Sequence, residues 1–437
     1  MDTLMLSRLQ FAFTAGFHFL FVPMTLGVVV LMAIMQTLYY KKSDNLWMEL
    51  VRFFKPLFLI NFTIGVVTGI SLEFQFGMNW AEYSKYVGDV FGVPLAIEAT
   101  VAFFLESVFL GLWIFAENKI SKKAHLFSIW MVAIGSNLSA LWILFANAFM
   151  QHPVGYQLTS SRVELVNFTE LITSRYGWVK FFHTIFSSYI VGAFFVIAVS
   201  AYHILKGNNI FKRSFKLASY FGFVSSLFVI ISGDFHAKDI FRFQPTKFAA
   251  MESVWNTVKG ADYPLILIPD EKNERNIVES LKIPYFLSIL ATYNPHTEVK
   301  GLRDFPEDER PPVLLTFLGF RGMVLLGFIF LVLTLLALYI SYRDKFDNKL
   351  FLKILMYSFP LPYIASQLGW IVAEVGRQPW AIYGILKTKD AVTKTLSFNE
   401  IMLSFSGYLI VYTLIAIIAV YLMVKYIRKK DFKVMEI

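Results

Sequence analysis

The 437-residue chain has no cysteine. That excludes disulfides, cysteine-held iron–sulfur clusters and covalently attached c-type haem within it. Charge is scarce too: Asp, Glu, Lys and Arg make up only 16% of the residues, well short of an ordinary soluble domain. There is no Walker loop, no dinucleotide-binding glycine fingerprint, no internal repeat and no low-complexity tract, which argues against ATP-driven and nicotinamide-dependent chemistry. A cleavable leader is not evident either, because the first apolar stretch runs on past Val30, too long for a signal h-region.

What fills the chain is apolar: 57% hydrophobic residues, with 46 Phe. This composition describes an all-α, polytopic membrane protein. Nine apolar segments can be drawn, roughly 10–39, 56–75, 95–117, 127–148, 181–205, 217–233, 313–341, 354–374 and 401–424, each near the ~20 residues that cross a bilayer. The connections 41–55, 118–126, 206–216 and 342–353, with the tail 425–437, carry 20 of the 40 Lys and Arg. The opposite connections 76–94, 149–180 and 375–400 carry eight. The positive-inside rule then sets the N-terminus outside and the C-terminus in the cytoplasm. The net charge of +9 is thereby an orientation signal and implies no nucleic-acid partner. One outer connection, 234–312, is far longer than a usual helix–helix link, and loops of that length are usually functional.

Several polar residues interrupt the apolar segments. His18 lies in the first, with Gly16 leaving room beside it for something flat; it serves either as a ligand or as a hydrogen bond to a neighbouring helix. Glu98 and Glu106 share the third segment, about 12 Å apart along one side of a helix. They read as steps of a proton relay or as two separate interhelical hydrogen bonds. Ser139 and Asn147 in the fourth are also eight apart. His183 opens the fifth, and Arg321 and Met323 lie about ten residues into the seventh. His with Met is the axial pair of an electron-transferring haem, although Met is also common core filler. Arg321 could neutralise a haem propionate. The eighth segment closes in GWIVAEVGRQPW, where Glu374 and Arg377, one turn apart, can pair or jointly hold an acidic cofactor, and Pro379 stops the helix. His125, His152, His203, His236 and His296 fall at helix ends or in loops and read as solvated or interfacial.

PLAIEATVAFFLES, GSNLSALWILFANAFMQHPVG, KFFHT and GWIVAEVGRQPW, in this order along essentially the whole chain, resemble subunit I of the cytochrome bd quinol oxidase family. The resemblance implies a nine-helix haem-binding bundle in a bacterial cytoplasmic (inner) membrane that oxidises quinol and reduces O2 to water. It implies His183 and Met323 on a low-spin haem b. It puts His18 and Glu374 on two high-spin haems, one b and one d, with Glu98 close by and Arg321, Arg377 and Trp370 as further cofactor contacts. Which of the two sits on His18 is open from the residues, with the high-spin haem b preferred. Lys247 and Glu252 match the family's quinol-loop pair, so 234–312 resembles that loop in its short form. Glu106, Glu98 and Ser139 would carry protons from the cytoplasm. A second large subunit and a small single-helix accessory subunit are the partners implied. The rivals are a cyanide-insensitive form with haem b in place of haem d, and a proton-coupled transporter, for which broken helices would speak. Helix counting agrees with the resemblance, since His18, His183, Met323 and Glu374 come from four segments and all fall in the outer part of the membrane.

Overall fold

The computed structural model describes residues 2–429; Lys430 and Lys433 of the basic tail lie outside them. Among the described residues the protein is an all-α bundle whose strands form only two-stranded ladders. The long helices are α1 (Thr3–Lys42), α2 (Asn45–Met78), α3 (Ala81–Phe115), α4 (Lys122–Gln151), α5 (Arg175–Leu205) and α6 (Phe211–Phe243). In the connection that follows lie the short α7 (Pro245–Glu252), the hairpin strands β1 (Tyr263–Asp270) and β2 (Arg275–Ile283), and α8 (Phe286–Thr292). The chain then returns through α9 (Val313–Tyr342), α10 (Lys349–Tyr357), α11 (Leu361–Glu374) and α12 (Phe398–Lys429).

Local chemistry sets the helix ends. Asp2 caps α1 by accepting from the Met5 amide at 2.8 Å, and Asp44 caps α2 through the Leu46 amide at 3.2 Å. Lys41 and Lys42 complement the C-terminal dipole of α1 before Ser43 turns left-handed. Ser121 and Ser174 cap α4 and α5 in the same way.

Three expectations change. Among the described residues eight helices, not nine, are long and apolar enough to span a membrane. The segment 354–374 is broken into α10 and α11, because Pro360 and Pro362 supply no N–H to the ladder and the chain turns at 358–360. The third segment is not a uniform α-helix: Glu98–Phe103 forms a π turn just after Pro94. And α6 extends to Phe243, so the long connection begins at Gln244 rather than 234. That connection is ordered on the bundle. The hairpin tip supplies Glu271, whose carboxylate accepts from the Val313 and Leu314 amides at 2.9 and 3.0 Å and so caps α9.

The largest core cluster lies at the end of the bundle away from this connection. There Phe53, Phe54, Phe58, Trp113, Phe211 and Phe215 are fully buried between α1, α2, α3, α5 and α6. Above it α1 and α5 cross backbone to backbone: a methyl group on Gly192 would stand 2.5 Å from the Gly27 backbone. Gly192→Val is therefore expected to lower the thermal midpoint of the purified protein or block its accumulation, on the ~1–3 kcal/mol scale of overpacking. Gly88→Ala, with open space around it, should be neutral. A normal midpoint for Gly192→Val would show that this seam has slack.

Candidate functional site

At the end of the bundle that carries the long connection, charged side chains converge on Glu374, the last residue of α11. The Glu374 Oε1 atom accepts from Asn147 Nδ2 at 3.0 Å and Gln151 Nε2 at 3.3 Å, both on the last turns of α4. Its Oε2 accepts from Arg377 Nη2 at 2.6 Å. Lys180 of α5 donates to Asn147 Oδ1 and stands 5.5 Å over the Trp370 ring. Trp370 meets Phe19 edge-on at 5.1 Å. Lys247 of α7 donates to Gln151 Oε1 and to the Ala373 carbonyl, each at 3.1 Å. Three buried cations, Lys180, Lys247 and Arg377, thus surround one carboxylate. Burial first, then the charges of Lys180 and Arg377, push the Lys247 ammonium well below its ordinary range, against the opposing pull of Glu374.

Two histidines lie deeper. His18 Nδ1 is 2.9 Å from Thr68 Oγ1, whose own hydrogen goes to the Ile64 or Gly65 carbonyl. The hydroxyl therefore accepts, Nδ1 carries the proton, and Nε2 keeps its lone pair with no hydrogen-bond partner among the described residues. His183 Nδ1 donates to the Val229 carbonyl at 3.1 Å, with Ser232 Oγ at 3.3 Å, and again leaves Nε2 free. Glycines make room for both rings: a methyl on Gly69 or on Gly233 would press on His18 or His183 at 3.1 Å. Gly16, expected to leave space for a flat group, instead admits Gln367, whose amide donates to the Gly16 carbonyl at 2.8 Å. Met323 faces α11, where Gly369 leaves space for its sulfur.

The two carboxylates of α3 each find a serine on α4. Ser139 donates to Glu98 at 2.6 Å, and Ser136 donates to the buried Glu106, where Gly135 lets the two helices touch. Asn147 does not continue this line; it belongs to the Glu374 cluster.

The fourth grouping is in the long connection. Glu252, at the end of α7, is buried and paired with Arg321 Nη2 at 2.6 Å. Arg321 also donates to the Pro264 carbonyl at 3.1 Å and stacks 4.0 Å over Tyr263. Arg321, expected to be available for a propionate, is engaged with Glu252, and Lys247 and Glu252 do not pair with each other. Burial raises the Glu252 carboxyl to about 7 even though Arg321 opposes it.

Reasoning from sequence missed Gln151, Lys180, Thr68, Ser136 and His236. Lys180 was visible as a lone cation among Val179, Phe181 and Phe182; nothing local marked the others. His125, His203 and His236 are not solvated. His125 is tied to Gln36 and the Trp113 carbonyl at 2.9 Å each, His203 stacks on Phe211 at 4.2 Å, and His236 packs against His183 with ring centroids 5.7 Å apart.

Such features define a polytopic helical membrane protein with histidines, carboxylates and unbalanced cations held between its helices. The family model for cytochrome bd terminal oxidase subunit I matches residues 6–431. Cytochrome bd ubiquinol oxidase subunit 1 of Bacillus subtilis (strain 168) is 42% identical, over 98% of this chain and 94% of its own. Cytochrome bd-II ubiquinol oxidase subunit 1 of Escherichia coli (strain K12) is 40% identical, over 98% and 96%. The solved structure of bd oxidase from Geobacillus thermodenitrificans superposes with a TM-score of 0.90 at 31% identity, over 98% of this chain and 99% of that one. This chain belongs to the cytochrome bd terminal oxidase subunit I family, as a multi-pass protein of the bacterial cytoplasmic membrane.

The donor sets present fit haem. His18, His183 and Glu374 lie deep among protein atoms yet are only partly covered, the Glu374 side chain remaining 33% accessible, so all three line gaps between helices. Each histidine has its second nitrogen fixed by an acceptor, as a metal-bound imidazole requires. Among the described residues Arg377 Nη1 is buried without a hydrogen-bond partner, and surplus cations suit a group that carries carboxylates.

At pH 7 Glu252 stands near the midpoint of its titration, protonated below and ionised above. Arg321→Gln removes the opposing charge, so the carboxyl should stay protonated to higher pH. The check is the protonated-carboxyl infrared band in a pH titration, assigned by its loss in Glu252→Gln. The same titration with and without Arg321 would show that the pair does not set it.

Proposed function

We propose that this subunit holds the haems of a quinol:oxygen oxidoreductase and oxidises membrane quinol at the face carrying the 244–312 connection, the outer face by the distribution of Lys and Arg. One observation carries the reading: two histidines inside the bundle, each with Nδ1 committed to an acceptor and Nε2 left free. Under it His183 and Met323 ligate a low-spin haem b. His18 ligates a high-spin haem b, and Glu374 ligates the second high-spin haem, d or a further b. When bound, the haems supply electron transfer and the reduction of O2.

The chain's own side chains account for the rest. Lys180, Lys247 and Arg377 provide positive charge where propionates would lie, and Trp370 with Phe19 closes the apolar wall between α1 and α11. Glu252, with its carboxyl near 7, is suited to take a proton from a quinol hydroxyl and pass it to the adjacent solvent side. Arg321 holds that carboxylate in place. Glu106 and Glu98, each hydrogen-bonded to a serine of α4, form two stations for protons travelling the other way, from the cytoplasm toward the oxygen site. Quinol protons released outside and water protons drawn from inside make turnover electrogenic without a pump, against about 2.3 kcal/mol per charge at 100 mV. Subunit II, a small single-helix subunit, quinol and O2 are the partners. A proton-coupled transporter is the weaker reading: α10 and α11 do form a broken helix, but no repeat accompanies it.

His183→Ala or Met323→Leu should remove or convert the low-spin absorption band while the high-spin bands persist; an unchanged low-spin band in both variants would refute the ligand pair. Glu106→Gln keeps the shape but abolishes the protonatable group. It should leave haem reduction by quinol near normal and slow steady-state O2 consumption and membrane-potential generation in vesicles. Full turnover and full potential in Glu106→Gln would send the protons by another path.

A further inference from the structure

Gln151, the last residue of α4, is wholly buried, at 0% exposure, and its side-chain amide is fully committed. Nε2 donates to the Ala373 carbonyl at 3.0 Å and to Glu374 Oε1 at 3.3 Å. Oε1 accepts from Gln244 Nε2 and from Lys247 Nζ, both at 3.1 Å. An amide offers two donor hydrogens and two acceptor sites, so none is spare. Its orientation is fixed electrostatically. Reversed, it would set its NH2 against an ammonium and its oxygen against a carboxylate.

The four partners belong to two separate parts of the protein. Gln244 and Lys247 belong to α7 and its cap, the helix that ends in Glu252; Ala373 and Glu374 end α11. Lys247 does not reach Glu374. Its Nζ goes to Gln151, Gln244 and the same Ala373 carbonyl that Gln151 uses, and Gly376 makes room for its stem. Among the described residues, Gln151 is thus the one side chain that hydrogen-bonds both the cation of the loop helix and the carboxylate of α11.

We propose that Gln151 is a positioning residue that transmits the placement of the quinol-loop helix to the ligand strength of Glu374, through the amide dipole between Lys247 and the carboxylate. The proposal rests on the reading that Glu374 ligates a haem. A donor to a ligating carboxylate withdraws electron density from it, so removing the donor strengthens the carboxylate toward ferric iron and drives the midpoint potential negative. Lys247 polarises the amide, so losing it should act in the same direction by way of Gln151.

The experiment is a spectroelectrochemical titration of the purified complex. In Gln151→Leu the Glu374-linked haem should be retained while its reduction equilibrium falls about tenfold, ~59 mV for one electron, with the low-spin haem unmoved. Lys247→Met should shift the same haem further in the wild-type background than in the Gln151→Leu background, where only its direct charge on Glu374 is lost; equal shifts in the two backgrounds would rule out transmission through the amide. Gln151→Glu, of the same shape, places a second carboxylate beside Glu374 and should shift it further. An unmoved midpoint with full haem content in either Gln151 variant overturns the proposal. Loss of all haems in both Gln151 variants, the low-spin one included, also overturns it, because the role would then be general to folding. Glu374→Gln separates the two claims. If that variant leaves every band unchanged, the ligand reading has failed; if it alters one band and Gln151→Leu does not, only the coupling has failed.

Discussion

Around Glu374 three cations are shut away from water with a single carboxylate among them, and the rest of this end of the bundle is arranged to make that tolerable. A buried charge costs several kcal/mol unless it is paired and hydrogen-bonded. Each charge here has such partners. Arg377 and Glu374 bond directly, Lys180 uses Asn147 and the Trp370 face, and Lys247 uses Gln151 and a backbone carbonyl. Lys180 of α5 and Lys247 of α7 thus find their partners on α4 and α11, so meeting the charge requirement fixes how four helices end against one another. The positive excess that remains matches a site for acid-bearing prosthetic groups.

Two departures from regular helix accompany this arrangement. The π turn at Glu98–Phe103 re-aims α3 between its two carboxylates, so each faces its own serine of α4. The break at 358–360 lets α11 take its own direction and bring Trp370 and Glu374 inward, independently of α10. Both lie beside prolines, where the backbone has already lost a hydrogen bond. The break sits on the aromatic-packed opposite end of the bundle, where Leu352 and Leu355 belong to the core cluster and Phe359 and Tyr363 pack against it.

Membrane architecture was legible because long apolar runs leave the backbone little alternative to helix. Averaged hydropathy hid the interruption at Pro360 and Pro362, since 354–374 is apolar on average. The Glu374–Arg377 pair could be read from a spacing of one turn, and the roles of His18 and His183 could be framed from imidazoles set in apolar helices. Gln151 could not, because its side-chain partners lie 93, 96 and 223 residues away and an amide near a helix end carries no signal of its own. Arg321 was misjudged for the same reason. Glu252 is 69 residues distant in sequence and becomes its neighbour only through the fold of the 244–312 connection. Local chemistry was readable; long-range pairing was not.

The central claim is that the interior charge and the free imidazole nitrogens exist to hold haem. Its most direct test is the haem content of the purified complex, by acid extraction and reduced-minus-oxidised absorption, normalised to this chain. Three haems per chain are expected, with a far-red band present if the second high-spin site holds haem d. A folded, monodisperse complex containing no haem would contradict the account.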